Sequence, residues 1–118
     1  MRRMFFKHKY LRYILDGVKS LEGRVGYDNI RDLRIGVDIY LNGEHRARIV
    51  DIKNYASFQD AITEDNYRLL IPDAHSPEET IRTYEQLFPL WKQKKLGVYI
   101  LKLKYPVEKE EEKTAGNL

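Results

Sequence analysis

The chain has 118 residues, 42% apolar and 33% charged, enough for one compact domain with its own core and short for two. It has no cysteine, which argues against a disulfide scaffold or a thiolate metal site, and His8, His45 and His75 show no metal-ligand spacing, so neither metal nor cofactor is expected. No apolar run approaches the roughly 20 residues of a membrane span. The basic start, Met1-Arg2-Arg3-Met4-Phe5-Phe6, lacks the apolar stretch of a signal peptide, so a cytoplasmic protein without membrane partners is expected.

The net charge of +3 is unevenly spread. Residues 1–12 carry Arg2, Arg3, Lys7, Lys9 and Arg12 with no acid, whereas residues 107–118 hold four Glu against two Lys. A basic body of this kind favours an anionic partner over a cationic one. Abundant Lys, Arg and Glu without Cys also resembles a thermophile's composition.

In chain order, the spacing of Phe6, Tyr10, Leu11 and Ile14 predicts an amphipathic helix over 5–16, with Gly17 at its C-terminal cap. Residues 18–26 alternate with the period of a strand, which puts Ser20, Glu22 and Arg24 on one face. Residues 28–35 read as a short helical turn. Residues 37–41 and 44–53 then read as strands joined by Asn42-Gly43, a pair suited to the positive φ angles of a type I′ turn. Short helices follow at 58–64 and 66–71. Ser76-Pro77-Glu78-Glu79 then opens a longer helix over 77–88 with a hydroxyl cap, Pro at its first position and Glu placed for a capping box. Residues 97–105 alternate strictly as a last strand, and 106–118 read as a charged, disordered tail outside a single domain of residues 1–105.

The segment Gly17-Val18-Lys19-Ser20-Leu21-Glu22-Gly23-Arg24 concentrates a cation, a carboxylate and a guanidinium where helix passes to strand. A buried lysine has its pKa lowered and can serve as a base, a neighbouring carboxylate can orient it or a water, and an arginine fork suits phosphate. The same three residues would equally serve as an ion-pair network tying helix to strand. The basic helix face of Lys7, Lys9 and Arg12, with Arg46 and Arg48, suits a nucleic-acid backbone, and Tyr10, Tyr13 or Tyr55 suits base stacking. The same residues would equally serve as core tyrosines, Tyr10 by its spacing above all, and a solvated cationic face. Ser57 and Ser76 are better explained as helix caps than as nucleophiles.

Gly17, Lys19, Glu22 and Arg24 match the G-x-K-x-x-E-x-R signature, and the chain thereby resembles the ASCH domain family over about residues 5–105. The Tyr55-Ala56-Ser57-Phe58 segment, the Ser-Pro-Glu-Glu helix ending in Phe88-Pro89, and Gly97-Val98-Tyr99-Ile100 resemble it too. The resemblance implies an α+β, PUA-like, mostly antiparallel β-barrel with helices packed around it and a cleft that receives RNA or a nucleotide. Lys19, Glu22, Arg24, Lys7, Lys9, Arg12, Lys53 and Tyr55 are then the expected ligand-binding residues. One branch of the family resembles 4-acetylcytidine amidohydrolases, and others have been described as ribonucleases. On that alternative Lys19, Glu22 and Asp73 would be catalytic. Glu22, however, occupies the position of that branch's threonine nucleophile. A protein-interaction module is the third expectation.

Overall fold

Residues 1–108, the part that the computed structural model describes, form short strands and helices. Strand β1 (Arg3–Met4) leads to helix α1 (His8–Leu15), β2 (Leu21–Val25), α2 (Asp28–Arg31), β3 (Asp38–Leu41) and β4 (His45–Tyr55). Helices α3 (Phe58–Ala61), α4 (Tyr67–Leu70), α5 (Pro77–Leu87) and α6 (Leu90–Leu96) precede the last strand, β5 (Val98–Lys104). The tail expected over 106–118 lies almost entirely outside the described residues.

Local chemistry accounts for most boundaries. Ser57 and Ser76 accept the backbone N–H groups of Asp60 and Glu79, each at 3.1 Å, and cap α3 and α5. The Glu79 carboxylate takes the N–H of His75 rather than that of the capping serine. Asn42 and Gly43 both adopt positive φ, 51° and 74°, in the β3–β4 hairpin. Leu41 nevertheless pairs with His45, so the loop holds three residues instead of two. Helix α1 starts later than its periodicity predicts, because Arg3 and Met4 are drawn into parallel pairing with Tyr40 and Leu41. Here a long-range ladder overrides a local helical pattern.

The five strands form one mixed sheet in the order β1-β3-β4-β5-β2. Only β1 and β3 run parallel; the other neighbours are antiparallel, with a bulge in β4 between Ile49 and Asp51. An apolar core lies on each face. Leu11, Ile14, Ile39, Ile49, Leu101 and Leu103 meet on one side, and Val25, Phe58, Leu70, Tyr84, Val98 and Ile100 on the other. The alternation of β5 therefore separates two cores rather than core from solvent.

The sheet is α+β as expected, but it does not close into a barrel. Its edges are β1 and β2, and no ladder joins them among the described residues. Closure requires edge groups to pair with each other. Here side chains occupy those groups. The carbonyl of Phe5, just past β1, accepts from the Arg24 guanidinium, and the N–H of Gly23 donates to the Glu22 carboxylate and the Tyr84 hydroxyl.

Candidate functional site

The opening between the two sheet edges is a cleft of about 260 Å³, whose walls include Phe5, Phe6, Tyr10, Arg24, Tyr84 and Phe88. A further recess of about 50 Å³ runs inward over Lys19 and Glu22 and shares Tyr10, Tyr84 and Leu87 with it. Small-molecule sites usually occupy ~300–1,000 Å³, so this space suits one base or nucleoside rather than a folded element.

The turn after α1 aims Lys19 inward. Gly17 takes φ 81°, which a side chain would strain, and the Tyr13 carbonyl accepts the N–H groups of both Val18 and Lys19 at 3.0 Å. Lys19 is thereby buried to 3% exposure. Its Nζ donates to the carbonyls of Leu21 and Leu70, both at 2.6 Å, and to Glu22 Oε1 at 3.2 Å. Three acceptors match the three donors of an ammonium. Burial pulls the Lys19 pKa below its usual value, against the pull of Glu22. The two carbonyls and the carboxylate still require an ammonium, because a neutral amine would leave one of them without a donor.

Glu22 sits at the centre of this arrangement. Besides Lys19, its Oε1 accepts from the Gly23 N–H at 3.1 Å and the Tyr84 hydroxyl at 2.9 Å, while Oε2 accepts from Arg24 Nε at 2.8 Å. Burial alone would raise the Glu22 pKa, but the charges of Lys19 and Arg24, with the hydrogen bonds of Arg24 and Tyr84, bring it below its ordinary value. The Tyr84 phenol is pushed well above its ordinary value by burial and by the adjacent Glu22 charge, so it stays a neutral donor.

Arg24 is the member of the motif that faces outward. Nε is held by Glu22, Nη2 by the Phe5 carbonyl at 2.9 Å, and the guanidinium lies 5.0 Å from the Phe6 ring centre. The side chain remains 24% exposed. Phe6 is fixed in turn by Asn42, whose Oδ1 accepts the Phe6 N–H at 2.8 Å and whose Nδ2 donates to the Phe6 carbonyl at 3.1 Å.

The structure brings Lys7, Glu22 and Arg24 to the cleft and Lys19 to its inner recess. The other expected residues lie outside these linings. Asp73 and Lys9 form a surface pair at 2.6 Å, Arg12 and Lys53 are exposed, and Tyr55 packs at the edge of the second core. Arg46 and Arg48 pair with Asp38. Of the aromatic walls, the sequence singled out Tyr10 for stacking and left the others unmarked. Phe5 and Phe6 read as part of the first helix, and Tyr84 and Phe88 as part of the helix that Ser76 opens. The one available signal was Gly23, inside the motif itself. A Cβ there would stand 2.8 Å from a Phe58 ring carbon and 3.1 Å from one of Tyr84, so its absence lets Tyr84 lie against β2 and reach Glu22.

Among the described residues no group of three or more His, Asp or Glu side chains is placed to hold a metal, and no helix is long and apolar enough to cross a membrane.

No family model and no curated protein matches this chain. Solved structures similar to it include the following two. Hypothetical protein PH0355, a crystal structure, is 25% identical with a TM-score of 0.81, over 88% of this chain and 98% of its own. Protein PF0455 from Pyrococcus furiosus, determined by NMR in solution, is 26% identical with a TM-score of 0.74, over 87% of this chain and 94% of its own. The fold therefore recurs over nearly the full length of both neighbours.

Proposed function

We propose that this chain is an ASCH-type, PUA-like module that binds single-stranded RNA or a nucleotide in the cleft between β1 and β2. The observation that carries this reading is Arg24, fixed at the cleft wall by Glu22 and Phe5 with its guanidinium over Phe6. Nη1 makes no hydrogen bond among the described residues, which leaves it for a phosphate oxygen or the acceptor edge of a base. Phe5, 63% exposed, and Tyr10 supply the aromatic surface on which an unpaired base stacks, and Lys7 adds a cation at the rim. The sheet, curled until one side chain spans its edges, supports the PUA-like reading.

Within this reading Glu22 and Lys19 act through Arg24 and through the shape of the recess, so they are positioning residues. The rival reading is a hydrolase of RNA or a modified nucleoside using Lys19 with Glu22 or Asp73. Binding is favoured over it because Lys19 spends its three donors inside the protein and Asp73 pairs with Lys9 at the surface.

Titration of labelled single-stranded and hairpin RNA at rising salt, with recovery of the RNA afterwards, tests the proposal. Salt-sensitive binding that Arg24→Ala weakens, with intact RNA, is expected. Cleavage lost in Lys19→Ala would establish the hydrolase, and affinity unaffected by Arg24→Ala would overturn the cleft.

A further inference from the structure

A second aromatic and basic surface lies beyond the cleft, where α5 passes to α6. Pro89 separates the helices, and Leu87, Leu90 and Trp91 stay 53%, 53% and 62% exposed. Leu87 also lines the cleft, so this ridge starts at the cleft rim. Lys92 Nζ stands 5.4 Å from the Trp91 ring centre and 5.5 Å from that of Tyr27, itself 43% exposed. Helix α6 adds Lys94 and Lys95 and carries no acid; the nearest acid along the chain is Glu85, in α5, and Asp28 adjoins Tyr27.

A buried core explains none of these side chains. An exposed indole held beside a lysine, with two more cations on the same seven-residue helix, is the combination that tracks a single strand: bases stack on the ring and phosphates meet the ammonium groups. An apolar partner alone would leave three lysine charges unmatched.

We infer that Trp91, Tyr27 and the lysines of α6 form a second contact for single-stranded nucleic acid, continuing the path of a strand whose terminal or flipped base enters the cleft. The inference extends the nucleic-acid reading, and its test separates the two surfaces.

Trp91 is the only tryptophan of the chain, so its emission reports this surface alone. The intact protein is titrated with unstructured oligouridine of about 12 nucleotides, within the usual single-strand site size. Saturable quenching of Trp91 is expected, and it persists at saturation in Arg24→Ala even where that variant binds more weakly. With labelled oligouridine, Trp91→Ala weakens binding by roughly ten-fold while Trp91→Phe largely restores it. Lys94→Gln with Lys95→Gln reduces the salt slope by about 1.4, the single-strand value for two lost phosphate contacts.

Unchanged emission at saturating oligouridine, or equal affinity in Trp91→Ala, would overturn the inference and leave the cleft reading standing. Quenching and affinity both indifferent to Arg24→Ala would instead retain this surface and remove the cleft. Emission that follows protein concentration alone would overturn the inference in favour of contact between copies of the chain.

Discussion

Arg24 donates from Nη2 to the carbonyl of Phe5 across 2.9 Å and so joins the two edges of an otherwise open sheet. A backbone ladder there would have filled the opening. A single side chain bridges it and leaves a cleft, with the bridging guanidinium as part of the wall. The motif glutamate holds that guanidinium from behind, so scaffold and site are one network.

Glu22 is the most heavily used group in that network. Glu22→Gln removes the charge facing Lys19 and Arg24 while keeping the shape. Removing one partner of a buried ion pair costs about 3–5 kcal/mol, and a loss in this range is expected in chemical denaturation. Lys19→Met with Glu22→Gln should cost less than the sum of the single changes, because the double variant leaves no unpaired buried charge between them. Additive losses would show that the two do not interact.

Tyr84→Phe deletes the hydroxyl at 2.9 Å from Glu22 and leaves the ring stacked on Phe58 at 4.8 Å. A hydrogen bond to a charged group contributes about 1.5–3 kcal/mol, so a destabilisation near the lower end is expected, with the fold intact by NMR. Gly23→Ala should cost a similar ~1–3 kcal/mol by a different route, forcing Phe58 and Tyr84 away from β2.

Asn42 should couple the hairpin to the cleft. Asn42→Gly keeps the positive φ of 51° accessible but loses both hydrogen bonds to Phe6. Weaker ligand binding with a stability loss of about 1–2 kcal/mol is expected. If Asn42→Gly binds RNA as the unaltered chain does, Phe6 does not depend on this clamp.

Acid should weaken the fold through Glu22. Its folded pKa lies below the ordinary 4.5, so its carboxylate contributes stability that is present above that value and is lost as pH falls through the folded one. Glu22→Gln should flatten this part of the acid limb of a pH–stability curve. An acid limb identical in the variant would assign the dependence to other carboxylates, Asp38 first, since Arg48 and Arg46 also hold its pKa low.

Much of this arrangement was legible in the sequence. The alternation of β5, the caps Ser57 and Ser76 and the Asn42-Gly43 turn are local signals, and local chemistry decides them. The shared face of Glu22 and Arg24 followed from the period of a strand, and their hydrogen bond bears it out. Three features were out of reach for one physical reason: each depends on contacts far along the chain. Lys19 meets the Leu70 carbonyl 51 residues away, Tyr84 meets Glu22 across 62, and Phe6 meets Asn42 across 36. The cleft walls come from those contacts, so periodicity placed Phe5 and Phe6 in one helix and Tyr84 in another without linking them to Glu22 and Arg24.

The most direct test of the cleft is an NMR titration of the isotopically labelled chain with a short single-stranded RNA. The backbone signals of Phe5, Phe6, Gly23 and Arg24 and of the α5 segment around Thr83 and Leu87 are expected to shift saturably, and Arg24→Ala to abolish those shifts. RNA that binds while these signals stay unmoved would contradict binding in the cleft.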